Sequence, residues 1–294
     1  MSTLRELKTR IGSVASTEKI TGAMKMISSA KVHQNEMALR RLQPFRAKLT
    51  VIMGHILGAE EDFSSPLIEE REVREAAVIV YGSDDGLCGA YNINIFKGLL
   101  EMVDGIRRDN PGANIKVYPV GEKMAKAVRH LKGDGIQVES LPGVDSKMDS
   151  KRVQDFTLSI RDAFIRGEVD QVDVVYMKYK SMSRQTLTKD RLFPVSHSAL
   201  TEGTTQSEEN QLYIFEPDAN SIFNEVLPMF VLSTMQEITI ENRASEQAAR
   251  VMAMQSANDN AQKLLEELQL EYNKLRQQSI TTELLDILGG QVER

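Results

Sequence analysis

The chain has 294 residues, with 42 Asp and Glu against 36 Lys and Arg for a net charge of −6. That balance argues against a general nucleic-acid binder, which needs a basic face to displace counterions, and one cysteine excludes an internal disulfide framework or a cysteine-rich metal site. Hydrophobic residues at 41% and aromatics at 5%, with no Trp, are thin for two full cores and suit a chain with much exposed or partner-covered helix.

The opening MSTLRELKTRIG follows helical periodicity rather than a signal-peptide pattern. No run approaches the roughly 18 apolar residues that cross a bilayer. A soluble or peripheral protein of a reducing compartment is expected. Leu4, Leu7, Ile11 and Val14 step by three, four and three, the seam of a two-helix coil. The pattern loosens at Glu18 and is expected to resume through Ile20, Met24 and Ile27. Helix-forming residues run past Pro44, an expected kink, to about residue 57, where GAEED and SSP end the element.

Between residues 75 and 216 the grammar changes. AAVIVY (76–81), IKVYPV (115–120) and VDVVYMKY (172–179) read as buried strands. Residues 94–106, 122–131 and 151–166 read as helices between them. This alternation predicts a Rossmann-like α/β domain with a mostly parallel sheet. RLFPVS (191–196) and LYIFE (212–216) could add edge strands, with the polar TEGTTQSEEN (201–210) a mobile loop.

After EPDAN, whose Asp and Asn offer helix-start chemistry, no Gly appears between Ser221 and Gly289. Pro228 is close enough to the start to be tolerated as a bend. Ala244, Ala248 and Val251 form one stripe; Ala261, Leu265, Leu268, Tyr272 and Leu275 form another. A helix of about 65 residues would span roughly 100 Å, and Gly289–Gly290 is its expected stop. Pairing the two terminal seams predicts a long antiparallel coiled coil of residues 1–58 with 221–288, bracketing a central domain of 75–216.

Few residues carry chemistry. The turn GSDDGLCGAYN (82–92) sits between a strand and a helix, where α/β proteins often bind ligands. It lacks both phosphate-loop patterns, and Asp84 and Asp85 would repel an anion; a tight structural or partner-contacting turn is the plainer reading. Cys88 has no neighbouring His in sequence and reads as a packing residue rather than a nucleophile. His33, His55, His130 and His197 show no ligand spacing, and the pairs Asp84–Asp85 and Glu266–Glu267 read as solvated. No cofactor and no metal is expected. Met24, Met26, Met229, Met235, Met252 and Met254 fall on the long helices, and two helices share only one seam. Apolar residues off it must face a partner or water. Ile280, Leu284, Leu285, Ile287 and Leu288 are too many for one stripe and predict an apolar tip buried in another protein. Arg276 and Gln277 lie just below that tip, where Arg can grip a carboxylate.

Three stretches carry a family signature. ITGAMKMISSAK resembles the I-T-K-A-M-K-M-V-A-A-S-K motif of the γ subunits of rotary F-type ATP synthases, GSDDGLCGAYN resembles their S-S-D-R-G-L-C-G loop, and ENRASEQAARVMAMQSANDNA with YNKLRQQSITTELLDILGG resembles their C-terminal helix. The resemblance implies a non-catalytic central-stalk rotor subunit, a coiled-coil shaft inside a ring of α and β subunits with an α/β foot on the ε subunit and the membrane c-ring. By resemblance, Met24 and Lys25 face the acidic lever loops of β. Arg276 and Gln277 engage a polar catch loop of β, and Ile280, Leu284, Leu285, Ile287 and Leu288 sit in an apolar bearing. It further implies a peripheral protein on the cytoplasmic face of a bacterial inner membrane, coupled to protons or sodium. Two departures stand out: Gly22 where the family usually has Lys, and Asp85 where it usually has Arg. The competing readings are an α/β enzyme working at the 82–92 turn, which nucleotide binding by the isolated chain would favour, and a coiled-coil scaffold or membrane-remodelling protein. Stable homodimerisation through the helices would favour the scaffold; a concave basic helical face is missing, which weakens membrane remodelling.

Overall fold

The run EAAVIVY becomes β1 (Glu75–Tyr81), the centre of a five-stranded sheet in a computed structural model that describes residues 3–58, 63–131, 133, 135–201 and 215–292. Successive side chains of a strand point to opposite faces, and β1 is buried on both. Ala76, Val78 and Val80 pack against Ile95, Leu99 and Val103 of α2 (Tyr91–Asp109). Ala77, Ile79 and Tyr81 join the other core, with Phe156, Ile160 and Phe164 of α4 (Ser150–Ile165). A strand covered on both faces must be apolar throughout, which is why this one was so visible.

The remaining strands are β2 (Asn114–Val120), β3 (Ile136–Val138), β4 (Gln171–Ser181) and β5 (Arg184–Phe193). Their order is β3-β2-β1-β4-β5, parallel except for the antiparallel β4–β5 hairpin. The expected strand at 191–196 is the end of a longer β5, which stops at Phe193 ahead of Pro194. The sequence signal failed over Arg184–Asp190 because an edge strand needs little apolar surface. Its exposed charges also blunt the open edge. β3 was missed because three residues between glycines carry no period. The expectations for a strand at 212–216 and a mobile loop at 201–210 fall mostly on residues 202–214, outside the described ones; Thr201 ends α5, and Phe215 and Glu216 are not in a strand.

Of the helices between strands, α2 runs three residues further at each end than expected, and α4 keeps the expected length one residue earlier. α4 begins at Ser150 because Asp149 caps it, accepting from the Arg152 N–H at 2.8 Å. Residues 122–131 divide into α3 (Glu122–Val128) and a 3-10 turn (Arg129–Leu131). A short α5 (His197–Thr201) follows the sheet. Gly98 of α2 lies against β5: a Cβ there would come within 2.6 Å of Leu187, so glycine lets helix and strand approach closely.

The two terminal helices are α1 (Leu4–Gly58) and α6 (Ala219–Val292), 55 and 74 residues long. α1 continues through Pro44 and α6 through Pro228. α6 starts where EPDAN suggested, with the Asp218 carboxylate accepting from the Ser221 N–H and hydroxyl, both at 2.7 Å. The expected stop at Gly289–Gly290 is overturned, since α6 runs on to Val292. A glycine costs a helix about 1 kcal/mol, which disfavours the ladder without ending it.

By contacts the chain forms two compact units, Met1–Ser29 with Arg250–Arg294, and Ala30–Ala249. In the second, Met53 and Ile56 of α1 and Phe223, Leu227 and Met235 of α6 complete the core on the α4 face of the sheet. Arg46 of α1 pairs with Glu237 of α6, and the Tyr179 hydroxyl of β4 donates to Glu36 of α1 at 2.6 Å.

Burial pushes the Tyr81 phenol up to about 12, so the folded chain resists its ionisation. In the unfolded chain the phenol titrates near pH ~10. The stabilisation is therefore complete below pH ~10 and is lost as pH rises through about 12. Tyr81→Phe should flatten part of the alkaline fall in thermal midpoint over that window, with Tyr118 and Tyr176, also raised by burial, contributing alongside it. At neutral pH the variant should lose roughly 1 kcal/mol, because the bond to the Thr239 hydroxyl disappears. An unchanged alkaline slope in the variant would refute the assignment.

Candidate functional site

The unit of Met1–Ser29 and Arg250–Arg294 is a two-helix pair. α1 begins with a capping box: the Thr3 N–H donates to Glu6 Oε2 at 2.8 Å and the Glu6 N–H to Thr3 Oγ1 at 3.2 Å. The two helices run antiparallel, since Lys25 Nζ donates to Gln255 Oε1 at 2.8 Å and, further from it in both directions, Asn258 Nδ2 donates to the Glu18 carbonyl at 2.8 Å. On α6, Met254, Asn258, Ala261, Leu265, Leu268, Tyr272 and Leu275 are buried or half-buried, in steps of four and three. On α1 the covered positions are Leu4, Leu7, Ile11, Val14, Glu18, Thr21, Lys25 and Ser28.

The expected resumption of the seam at Ile20 and Ile27 is therefore overturned. Both are exposed, at 59% and 58%, while Thr21 and Ser28 are buried. The heptad keeps its phase and its residues turn polar. Angular position on the helix, not side-chain polarity, decides what faces the partner. Asn258, 8% exposed, also donates to the Thr21 hydroxyl at 3.3 Å, and its Nδ2 lies 3.5 Å from where a Cβ on Gly22 would be. Asn258 and Gln255 were not recognised from sequence as seam residues; extending the step of three back from Ala261 would have found Asn258.

Met24 and Lys25, expected to meet a partner, are half-buried, and the exposed apolar groups of this turn are Ile20, Met26 and Ile27. Arg276 and Gln277 are both exposed. Ile280, Leu284, Leu285 and Ile287 are 48–63% exposed, with Leu270 more exposed still. The Leu288 side chain lies outside the described residues. Large apolar groups gathered on one free helical end cost water contact without gaining packing, the usual mark of an interaction surface.

The 82–92 turn is held by its own polar groups. The Ser83 N–H donates to Asn92 Oδ1 at 3.0 Å, and Asn92 Nδ2 returns a bond to Ser83 Oγ at 2.8 Å. Asp84 accepts from the Glu122 N–H at 3.1 Å and from the Ser146 hydroxyl at 2.8 Å. Asp85 pairs with Lys147 at 3.1 Å, and that partner raises the lysine's pKa. Cys88 is buried, its sulfur accepting from Asn92 Nδ2 at 3.4 Å and lying 3.8 Å from Ser83 Oγ; neither neighbour is a base. Leu87 takes φ 64° and is 60% exposed. A Cβ on Gly82 would sit 2.5 Å from Met124 Cβ, so only glycine fits where β1 enters the turn.

The part of α6 just before Arg250 supplies polar anchors that the sequence did not reveal. Asn242, 1% exposed, accepts from the Tyr91 hydroxyl at 2.6 Å and donates to the Gly82 carbonyl at 3.2 Å. Ser245 donates to the Met177 carbonyl at 2.9 Å, and Arg243 donates to the Ser146 and Met148 carbonyls. In ENRASEQ these residues look like an ordinary solvated stretch. Among the described residues no group of His, Cys, Asp and Glu has metal-holding geometry, and no helix is long and apolar enough to cross a membrane.

The comparisons agree along the whole chain. The family model described as ATP synthase matches residues 3–292. The chain is 36% identical over 302 residues to the ATP synthase gamma chain of Bacteroides thetaiotaomicron, covering all of both. It is 37% identical to that of Bacteroides fragilis, covering 99% of each. Among solved structures it resembles a chain of the Euglena gracilis mitochondrial ATP synthase (OSCP/F1/c-ring), with TM-score 0.62, 22% identity, and coverage of 98% of this chain and 93% of that one. A chain of the Tetrahymena thermophila central stalk and c-ring gives TM-score 0.55 and 19% identity, covering 81% and 99%. A family model matched over nearly the whole chain and full-length identity above one third show it plainly: the chain belongs to the ATP synthase gamma chain family.

Proposed function

We propose that the chain is the central-stalk rotor subunit of an F-type ATP synthase, coupling transmembrane ion flow to ATP synthesis or hydrolysis on the β subunits without a catalytic site of its own. Its partners in this reading are the α and β subunits around the shaft, and the ε subunit and c-ring at the foot. The complex would hold it peripherally at the cytoplasmic face of a bacterial inner membrane. The observation that carries the reading is the two-helix unit, whose seam is closed while Met26, Ile27, Ile280, Leu284, Leu285 and Ile287 remain exposed. Full-length membership of the gamma chain family supports it.

The roles follow from the kind of contact each group can make. Apolar contact is non-directional, so a bearing of Ile280, Leu284, Leu285, Ile287 and Leu288 would differ little in energy from one angle to the next. Arg276 and Gln277 are directional donors, suited to a catch loop of β that is gripped at one angle and released at the next. Met24 and Lys25 would face the acidic lever loops of β. The Lys25 ammonium is held by Gln255, a neutral partner that does not cancel its charge. Rotor angle then acts on each β subunit as a ligand does, shifting its conformation only through differential affinity for the alternatives.

Purification of the native complex should recover one copy of this chain per three ATP-binding β subunits; a chain found alone, or as a homodimer, would overturn the reading. Arg276→Ala with Gln277→Ala should lower coupled ATP turnover roughly tenfold, the scale of losing charge-assisted bonds at an interface, with thermal stability of the chain unchanged. Normal turnover in the reassembled complex would remove these residues from the catch. Deleting residues 280–294 should reduce assembly with α and β while the unit Ala30–Ala249 keeps its melting temperature; a melted α/β unit would refute a partner-facing tip.

A further inference from the structure

A helix laid on a sheet by apolar side chains resists being pulled away or turned, because either exposes apolar surface, but such contact fixes the angle about the helix axis less sharply than directional hydrogen bonds do. Most of α6 in the unit Ala30–Ala249 is held this way, through Phe223, Leu227, Phe230, Val231, Met235 and Ile238, with more exposed polar ties from Asn220 and Asn224 to the Ser64 main chain and from Glu237 to Arg46. The arrangement changes over one and a half turns. Thr239 shares a hydrogen bond with the Tyr81 hydroxyl at 2.9 Å. Asn242 takes the Tyr91 hydroxyl and the Met177 N–H on its Oδ1, at 2.6 and 3.4 Å, and gives its Nδ2 hydrogen to the Gly82 carbonyl. Arg243 and Ser245 bind the carbonyls of Ser146, Met148 and Met177.

Two features set this group apart. Five of its partner atoms (Gly82 O, Ser146 O, Met148 O, Met177 N and Met177 O) belong to the main chain of β4, the turn after β1 and the loop before α4, so the partner side of those bonds has no rotamer slack. Asn242 and Ser245 are buried, at 1% and 0% exposure, so water does not compete and each bond is stronger than at the surface. Ala244 and Ala248, both fully buried, keep α6 close enough to the sheet for these short side chains to reach.

We propose that Asn242, Arg243 and Ser245 form a torsional lock that makes α6 turn as one piece with the α/β unit, and are therefore positioning residues for rotary coupling. The inference rests on the central-stalk reading. α6 is one continuous helix from Ala219 to Val292, so rotation imposed on the α/β unit enters the remainder of that helix only as firmly as the helix is gripped. Without the lock the angle of α6 is set by apolar packing alone, which leaves more angular play under load.

The test uses the complete ATP synthase in vesicles, carrying Asn242→Ala, or Arg243→Met with Ser245→Ala. ATP hydrolysis and ATP-driven ion uptake are measured together at increasing opposing gradients. Hydrolysis without a gradient should stay within about twofold of the unaltered complex. Ions moved per ATP should fall, by roughly fivefold at the highest gradient, the scale of one or two lost hydrogen bonds, and fall further as the gradient grows. If Asn242→Ala does not assemble, the double variant, which leaves the apolar packing in place, carries the test. A ratio equal to that of the unaltered complex at every gradient overturns the lock, and so does a loss of hydrolysis and uptake in constant proportion, which marks a purely structural role. Failure of the unaltered complex to couple hydrolysis to ion uptake would instead overturn the central-stalk reading beneath it.

Discussion

A helix with a narrow apolar stripe is not stable in water on its own, and α6 extends for 74 residues. The whole architecture answers that one constraint. Over Ala219–Ala249 the helix is covered by the sheet, α4 and α1, and it is apolar enough there to complete a globular core. Over Arg250 onward its stripe narrows to a two-helix seam, closed by the start of α1. The start of the chain must therefore return to its end, and the α/β unit is what lies between them in sequence.

That seam changes character along its length. Near the chain ends it pairs Leu and Ile, which stabilise without specifying much. Towards Ser28 it turns to Thr21, Lys25, Asn258 and Gln255, where bonds such as Asn258 to the Glu18 carbonyl have one correct alignment. A buried polar residue in a coiled coil gives up some stability and specifies pairing and register. The same division recurs in the other unit, where α6 is first held by Phe and Leu and then by Asn242, Arg243 and Ser245. In both places affinity and alignment are assigned to different residues.

Legibility in the sequence tracked how much apolar surface each element buries. β1, β2 and β4 are covered on both faces, and their β-branched runs were plain. β5 lies at an edge, and its RQTLTKD half resembles a loop because only one face needs to be dry. The ends of the two long helices were readable from heptad spacing, but spacing by apolar identity alone misplaced the α1 seam at Ile20 and Ile27. Keeping the phase of Leu7, Ile11 and Val14 leads to Thr21 and Ser28 instead. Asn242 and Ser245 were invisible for a related reason: a polar residue's partners, here the Tyr91 hydroxyl and the main chain of Gly82 and Met177, lie more than sixty positions away and leave no trace in local pattern. Arg276, Gln277 and the apolar end of α6 stood out because their spacing exceeds what one two-helix seam can cover, and among the described residues they are exposed.

Cys88 has a practical consequence. It is the sole thiol of the sequence and is 3% exposed, wedged beside Ser83 and Asn92, and a thiol so buried is poorly accessible to alkylating reagents. The natural chain is thus already a near-silent background for maleimide chemistry. A single cysteine placed at an exposed position such as Met26 or Leu270 could carry a fluorophore or a bead tether, with no need to engineer out the native sulfur and disturb the turn that it fills.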